Sequence, residues 1–196
     1  MSVVIRALTG SSDPHYWSTL ELYVETFPRD EREPLSRVAA VAAGELTGGP
    51  EIRIAELNDE YAGFIYFMSC PSQSFLIYIA VMPHLRKHGI GSQLLQFLKQ
   101  NAPAPCLLEC EPPVGPDQQL REARLEFFRR HGAALISKTY VQPSLGPGRE
   151  PVPLWLLAIG AVPDPDTTIH THYTQFFELN GDAPEIATAL SGIQSR

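Results

Sequence analysis

Cysteine is scarce in this sequence, and long apolar runs are absent from it. Only three of the 196 residues are cysteines, and they follow neither a disulfide framework nor the ligand spacing of a zinc site. No apolar run approaches the ~20 residues of a membrane-spanning helix. The N-terminal residues also lack the basic and then apolar plan of a signal peptide. These absences predict a cytoplasmic protein without a metal ion and without a membrane partner.

Basic side chains are outnumbered by acidic ones. The chain has 15 Lys and Arg residues against 22 Asp and Glu residues, which gives a formal net charge of −7. Because nucleic-acid binding needs a basic face, we expect no nucleic-acid partner. Hydrophobic residues make up 44% of the chain and charged residues 19%, which is typical of a globular protein with a substantial core.

Apolar residues recur with the period of a strand in some stretches and of a helix in others. Strands are predicted at residues 3–9, 51–57, 61–69, 75–82, 106–111, 133–141 and 152–159. Helices are predicted from residue 13 to about 27 and at residues 35–46, 91–101, 118–131, 167–179 and 183–193. This order predicts an α+β fold with a central, largely antiparallel sheet and helices on its faces.

The first helix is predicted to begin at the pair Asp13-Pro14, because Asp caps helices and Pro fits their first turn. Five apolar residues are spaced to share its buried face: Trp17, Leu20, Tyr23, Val24 and Phe27.

The most informative segment follows the strand predicted at residues 75–82. It is a short basic loop with two glycines, Arg86-Lys87-His88-Gly89-Ile90-Gly91, and helical periodicity begins directly after it. A strand, loop and helix in this order direct several backbone N–H groups and the positive end of a helix at one point. Glycines there let a phosphate approach the backbone closely. The segment therefore predicts the binding site of a phosphate-bearing cofactor.

Other phosphate-binding loops fit this segment less well. A nucleotide P-loop needs Gly-x4-Gly-Lys followed by Ser or Thr, which the segment lacks. A dinucleotide fingerprint needs a third glycine where Leu94 stands. A glycine-containing turn that caps an ordinary helix is the remaining alternative.

The segment from Arg86 to Gly91 resembles the pyrophosphate-binding pattern of the GNAT superfamily of N-acetyltransferases: Arg or Gln, two variable residues, Gly, any residue, then Gly or Ala. A second block, residues 124–133, is similar to the family's later helix, usually written Phe-Tyr, three residues, Gly-Phe. The order of elements matches from about residue 3 to 160. The resemblance implies a three-layer α/β/α arrangement, in which a mixed, mostly antiparallel sheet is splayed around acetyl-CoA.

The resemblance also implies which residues bind the cofactor. Backbone groups of Ile79, Ala80 and Val81 would hydrogen-bond the pantetheine between the strands at 75–82 and 106–111. The loop amides that would hold the pyrophosphate belong to Arg86, Lys87, His88, Gly89, Ile90, Gly91 and Ser92.

Members of the family often use a tyrosine of the later helix to protonate the departing thiolate. Phe128 stands at that position here, and a phenyl ring cannot donate a proton. An ordered water, Tyr140, His131 or Cys110 are the alternative donors, and Tyr140 is our candidate. An ordinary strand aromatic is the other interpretation of Tyr140.

Two glutamates are candidates for the general base. Glu109 and Glu111 are two residues apart on a predicted strand, so both are expected on the same side of the sheet. Two neighbouring carboxylates raise the pKa of one of them toward neutrality, which suits a base. Two surface glutamates at a solvated strand end are the alternative.

A charged segment at residues 27–34 separates the first two predicted helices, and in the family this connection often borders the acceptor site. Its charged residues either contact a charged acceptor or form a solvated loop: Arg29, Asp30, Glu31, Arg32 and Glu33. Four aromatic residues line either an acceptor pocket or the core: Tyr23, Phe27, Tyr66 and Trp155.

We therefore predict a cytoplasmic acetyl-CoA-dependent N-acetyltransferase in which a small-molecule amine or a protein amino group attacks the thioester directly. No cysteine or serine occupies a nucleophile motif, so no covalent enzyme intermediate is expected. The alternative is a catalytically impaired acyl-CoA-binding module, a sensor or scaffold, and Phe128 favours it.

The acetyltransferase domain is predicted at residues 1–162, followed by a helical extension at 163–196. Four apolar residues of the extension either pack on the domain or form a homodimer: Ile169, Tyr173, Phe176 and Phe177.

Overall fold

The computed structural model describes residues 3–46, 48–71, 73–162 and 164–176, and it describes side chains as far as residue 170. The helices in these ranges are α1 (Tyr16–Thr26), α2 (Leu35–Ala42), α3 (Ile90–Asn101), α4 (Gln118–Arg130) and α5 (Pro165–Phe176). The strands are β1 (Val3–Ala7), β2 (Glu51–Leu57), β3 (Glu60–Cys70), β4 (Gln73–Val81), β5 (Cys106–Cys110), β6 (Ala133–Ser137), β7 (Val141–Gln142), β8 (Val152–Pro153) and β9 (Trp155–Ile159).

Seven of these strands form one mixed sheet in the order β1-β2-β3-β4-β5-β9-β6, and β7 pairs with β8 separately. The predicted α+β class is confirmed. The chain divides into two compact units, which are described one by one below. The N-terminal unit contains the described residues of Met1–Ser69 and Leu76–Ala102, and the C-terminal unit those of Cys70–Phe75 and Pro103–Arg196.

In the N-terminal unit, β2 pairs antiparallel with both β1 and β3. Alternate residues of β2, β3 and β4 are buried together with the inner faces of α1 and α2: Ile52, Ile54, Phe64, Tyr66, Tyr78 and Ala80. Helix α3 covers the opposite face of the sheet. Its Phe97 packs edge-on, at 6.4 Å between ring centroids, against Phe67, which neighbours Tyr66 along β3 and therefore points to the other face. The strands of this unit are therefore covered by helices on both faces.

Strand β3 approaches β4 very closely at Gly63. Ala55 pairs with Gly63 whereas Glu56 pairs with Tyr61, so β3 carries a one-residue bulge at this point. A Cβ atom on Gly63 would lie only 2.3 Å from the carbonyl oxygen of Ala80 on β4. Only glycine fits there, and it sets the position of β4 beside the bulge.

Helix α1 begins later than predicted, and only part of its predicted buried face, Leu20, Tyr23 and Phe27, packs into the core. It starts at Tyr16, and the Asp13 carboxylate instead accepts a hydrogen bond from the His15 N–H at 3.0 Å. Trp17 and Val24, predicted in the core, are 68% and 41% exposed. The buried face consists of Tyr16, Thr19, Leu20, Leu22 and Tyr23. The prediction is therefore correct for Leu20 and Tyr23 and wrong for Trp17 and Val24, and Tyr16 takes the place of Trp17 in the core.

In the C-terminal unit, β9 pairs antiparallel with both β5 and β6. Helix α4 contacts β5 and β6, and its buried side chains are Leu125 and Phe128. Helix α5 is attached to the start of β4, because the Gln73 side-chain amide donates to the Thr168 carbonyl at 2.9 Å. Ile169, the first of the four apolar residues predicted to pack on the domain or form a homodimer, is buried within the single chain.

Two predicted strands are each divided in the structure. The strand predicted at 133–141 consists of β6 and β7, and the strand predicted at 152–159 consists of β8 and β9. The short strands β7 and β8 pair with each other outside the main sheet, and the Leu154 N–H donates to the Tyr140 carbonyl at 3.0 Å. A change of pairing partner thus ends each long strand, and this change has no signature in the apolar pattern.

The predicted C-terminal extension is described only in part. Helix α5 begins at Pro165 rather than at residue 167. The helix predicted at 183–193, Phe177 and the side chains of Tyr173 and Phe176 lie outside the described residues. The domain boundary after residue 162 stays a prediction. Among the described helices, none combines the length and the apolar character that crossing a membrane requires.

Candidate cofactor loop and catalytic residues

The basic loop connects β4 to α3 in the N-terminal unit. After β4, a short 3-10 helix spans Pro83–Leu85, and α3 begins directly after Gly89. Two residues of the loop have left-handed backbone conformations, Lys87 with φ 68° and Gly89 with φ 81°. Glycine adopts this conformation without strain, so Gly89 allows the chain to turn sharply into the helix.

The end of α3 at this loop offers donors for an anion. The backbone N–H groups of Ile90, Gly91 and Ser92 have no partner within the helix, because they belong to its first turn. The positive end of the helix dipole lies at the same place. A Cβ atom on Gly89 would meet no described atom within 4 Å, so there is room for a ligand at the loop. These donors fit a diphosphate, which accepts several hydrogen bonds at once.

The basic side chains of the loop are exposed and partly fixed by the backbone. Arg86 Nε donates to the Val81 carbonyl at 3.4 Å. His88 Nδ1 lies 2.9 Å from the Arg86 carbonyl oxygen. Arg86, Lys87 and His88 are all exposed, so their charges and donors face solvent around the loop. On β4, Ala80 is buried while Ile79 and Val81 are half-buried.

In the C-terminal unit, the structure brings two of the predicted catalytic residues into contact. The Tyr140 hydroxyl donates a hydrogen bond to Glu109 Oε1, and the Gln142 side-chain amide donates to Glu109 Oε2 at 3.0 Å. Tyr140 is 1% exposed, whereas Glu109 is half-buried. Both oxygens of the Glu109 carboxylate are therefore held by buried neighbours. Gln142 was not identified from the sequence, since its contact with Glu109 joins residues that are 33 positions apart in the chain.

Glu111 lies outside this cluster. Strand β5 ends at Cys110, so the alternation of side chains along the strand no longer fixes the direction of Glu111. Its carboxylate forms ion pairs with Arg121, at 3.0 Å, and with Arg124 on α4. The expected contact between Glu109 and Glu111 is therefore not formed. Glu109 instead contacts Tyr140, and Glu111 forms ion pairs with two arginines of α4.

Glu33 is a candidate functional residue that sequence reasoning did not single out. It lies in the charged segment between α1 and α2 but is only 3% exposed, so a solvated loop is the wrong description for this residue. The Tyr66 hydroxyl donates to Glu33 Oε2 at 2.9 Å, and the Tyr23 hydroxyl donates to the Glu33 carbonyl at 2.9 Å. The Glu33 N–H in turn donates to the Tyr78 hydroxyl at 2.9 Å. We call Glu33 and these three tyrosines the tyrosine cluster.

The environment of the Glu33 carboxyl group is unusual for a surface segment. Burial raises its pKa to about 7, although the hydrogen bond from Tyr66 and the charge of Arg37 act in the opposite direction. Arg37 Nε lies 3.6 Å from Oε2. Oε1 is buried and has no hydrogen-bond partner among the described residues. Nothing in the sequence separates Glu33 from the four charged residues before it.

The comparison with known proteins supports one family. Residues 49–132, which include β2, the basic loop and all of α4, match a family model described as "Acetyltransferase (GNAT) domain". Over this segment the chain is similar to the GNAT acetyltransferase domain. The predicted family and enzyme class are confirmed, and members of this family are acyltransferases that use acetyl-CoA. No curated protein sequence matches the chain.

Solved structures are similar over most of the chain. A protein described as a GNAT-family acetyltransferase from Bacteroides thetaiotaomicron is 27% identical, with a TM-score of 0.78, over 90% of this chain and 99% of that chain. The PaiA N-acetyltransferase from Thermoplasma acidophilum, solved with coenzyme A, is 14% identical with a TM-score of 0.56, over 82% and 100%. Arabidopsis thaliana Naa50, solved with the bisubstrate analogue CoA-Ac-MVNAL, is 20% identical with a TM-score of 0.53, over 81% and 98%. The last two comparisons show the fold alone.

Phe128 and the two remaining proton-donor candidates, His131 and Cys110, all belong to the C-terminal unit. Phe128 is buried at 4% exposure and packs edge-on against Phe127. His131 Nδ1 lies 2.8 Å from the Phe127 carbonyl, where it closes the C-terminal turn of α4. Cys110 is a buried thiol. In the part of the chain that the structure describes, no three His, Cys, Asp or Glu side chains form a group that could hold a metal ion.

Proposed function

We propose that this protein is an N-acetyltransferase that transfers the acetyl group of acetyl-CoA to an amine by direct attack. The observation that carries this proposal is the basic loop, in which Gly89 turns the chain into α3 and leaves room for a ligand. In a GNAT domain, the anion that fits such a loop is the diphosphate of CoA. The bound thioester supplies an activated acetyl group.

The loop holds the diphosphate in this proposal through backbone N–H groups of residues 86–92 and the exposed side chains of Arg86, Lys87 and His88. Several converging donors suit a diphosphate better than one ion pair does. The backbone groups of Ile79, Ala80 and Val81 bind the pantetheine amides. This part of the proposal rests on the family resemblance of β4.

Tyr140 gives the proton to the departing thiolate in this proposal. Phe128 cannot donate one, whereas the Tyr140 hydroxyl is held by Glu109, and Glu109 is held by Gln142. Glu109 orients the hydroxyl, and Glu111 is assigned to positioning α4 through its two arginines. The alternative function, an acyl-CoA-binding module without turnover, is supported only by Phe128 in place of a tyrosine. The Tyr140–Glu109 contact supplies another candidate proton donor and therefore favours an enzyme.

The acceptor is a small-molecule amine or a protein amino group. The three cysteines are buried thiols, which supports the proposal that the enzyme works in a reducing compartment such as the cytoplasm. A homodimer remains a prediction from the residues of the C-terminal extension.

Replacement of Gly89 tests the cofactor site. Gly89→Leu places a side chain in the space at the loop, so we expect the affinity for acetyl-CoA, measured by titration calorimetry, to fall at least about 100-fold. Gly132→Leu is the matched control, because Gly132 also has a left-handed φ, 91°, and open space around its Cβ position. Both variants carry the same backbone strain, and only the first is expected to lose acetyl-CoA. Equal affinities in the two variants would contradict the assignment.

A further inference from the structure

We propose that Glu33 binds the acceptor amine as an alkylammonium ion and receives its proton before the amine attacks. This inference rests on the proposed function. It adds that the acceptor binds as a cation and that Glu33 is the general base. It transfers the base role, which the sequence assigned to Glu109 or Glu111, to a residue of the tyrosine cluster.

The main chain of Glu33 is held by two tyrosine hydroxyls. Its carbonyl accepts a hydrogen bond from Tyr23 on α1, and its N–H donates to Tyr78 on β4. The Tyr78 hydroxyl also donates to the Glu31 carbonyl at 2.9 Å. Burial raises the pKa of Tyr78 and of Tyr66, so both hydroxyls keep their protons at neutral pH. The side chain therefore starts from a fixed position, as a recognition group requires.

The two oxygens of the Glu33 carboxyl group differ in their contacts. Oε2 accepts the hydrogen bond of Tyr66 and lies 3.6 Å from Arg37 Nε on α2. Oε1 has less than 1 Å² of exposed area and no described hydrogen-bond partner. A buried polar atom without a partner destabilises a fold by the free energy of its lost hydration. A ligand that donates to Oε1 would remove this cost.

The surroundings of Glu33 favour a cation over other donors. Tyr78 stacks on Tyr66 at 5.6 Å between ring centroids and meets Tyr23 edge-on at 4.9 Å. Phe27 packs on Tyr78 at 4.7 Å. A buried carboxylate among these apolar ring atoms attracts an ammonium group by its charge, because little water screens the interaction. Neutral hydroxyl groups gain no such contribution, and anions are repelled.

The proton transfer balances in a single step. An alkylammonium ion has no lone pair on nitrogen, so it must lose one proton before it can attack a carbonyl carbon. That proton passes from nitrogen to Glu33 Oε1, which leaves a neutral amine and a neutral carboxylic acid. A carboxyl group whose pKa burial raises to about 7 can hold a proton near neutral pH. The titratable and charged neighbours in this step are Arg37, Tyr23, Tyr66 and Tyr78.

Direct binding tests the inference without turnover. Titration of the full chain with n-butylammonium chloride, followed by NMR, is expected to shift signals of the tyrosine cluster, and n-butanol is expected to leave them unchanged. In Glu33→Gln the affinity for n-butylammonium should fall at least about 10-fold. Glu25→Gln, the same change at an exposed position of α1, is the control and should bind as the wild type does. No binding to the wild type, or equal binding to Glu33→Gln, would overturn the inference.

Kinetics separates this inference from the proposed function. With an accepted amine, Glu33→Gln should keep the wild-type affinity for acetyl-CoA, lose at least about 100-fold in kcat/KM for the amine, and lose the rise in rate around pH 7. An unchanged pH profile would overturn the base role. If no amine in a panel is acetylated by the wild type, the proposed function fails, while the n-butylammonium titration still decides whether Glu33 binds ammonium.

Discussion

Glu33 shows how a single residue can make the stability of this protein depend on pH. In the unfolded chain its carboxyl group titrates near its usual pKa of 4.5, whereas in the folded chain burial raises that pKa to about 7. The folded state therefore binds a proton more tightly than the unfolded state does. Stability from this group is fully present below pH 4.5 and is lost as the pH rises to about 7.

Glu33→Gln is expected to remove this pH dependence, because glutamine does not titrate. A pKa shift from 4.5 to about 7 corresponds to about 3 kcal/mol. The free energy of unfolding of the variant relative to wild type should therefore rise by about this amount between pH 4.5 and pH 8. Urea unfolding of both proteins across this range measures the difference, in which the other titrating groups cancel. A difference that stays constant with pH would contradict the buried position of the carboxyl group.

At the scale of elements, the bulge in β3 links packing to the proposed cofactor site. Gly63 lies against Ala80, and Ala80 belongs to the part of β4 that we assign to the pantetheine. A side chain on Gly63 therefore has to displace the backbone of β4 rather than a flexible side chain. Such a displacement affects both the stability of the sheet and the direction of the backbone groups of Ile79 to Val81.

Gly63→Ala is expected to lower the free energy of unfolding by at least about 2 kcal/mol and to weaken acetyl-CoA binding about 10-fold or more. Gly160→Ala is the control, since its Cβ position has only ordinary contacts at 3.5 Å and beyond, at a left-handed φ of 95°. We expect that variant to lose about 1 kcal/mol from backbone strain and to bind acetyl-CoA normally. Urea unfolding and calorimetry measure the two effects. A Gly63→Ala variant as stable as Gly160→Ala would show that the close approach is relaxed in solution.

Elements that depend on local sequence were predictable. The turn between β2 and β3 lies in the gap between the strands predicted at 51–57 and 61–69, and its residues Asn58 and Asp59 both have positive φ, as a two-residue hairpin requires. The start of α3 follows from the glycines of the basic loop. The burial of Glu33 did not follow, because Tyr66 and Tyr78, its partners, are 33 and 45 residues away along the chain. The contact of Tyr140 with Glu109 spans 31 residues and depends likewise on tertiary structure.

At the scale of the whole molecule, the candidate functional residues divide between the two compact units. The basic loop and the tyrosine cluster belong to the N-terminal unit, whereas Tyr140, Glu109 and Gln142 belong to the C-terminal unit. Because each cluster is built from contacts within its own unit, a substitution in one cluster should leave the contacts of the others in place.

Tyr140→Phe is expected to lower kcat by about 10- to 100-fold and to leave the affinity for acetyl-CoA unchanged, because it removes only the proposed proton donor. Release of free thiol from acetyl-CoA in the presence of an accepted amine measures kcat. Tyr16→Phe, which removes a buried hydroxyl of the N-terminal unit, is a suitable control. A Tyr140→Phe enzyme with the wild-type rate would exclude Tyr140 as the donor and leave an ordered water in that role.

The two tryptophans of the sequence are divided in the same way as the functional residues. Trp17 lies on α1 of the N-terminal unit and is 68% exposed. Trp155 lies on β9 of the C-terminal unit, half-buried, with the Lys138 ammonium 5.1 Å from its ring centroid. Each unit therefore contains its own fluorophore, and the two indoles differ in contact with solvent. Single-tryptophan variants would allow the melting of each unit to be followed separately by emission spectra, without any added dye.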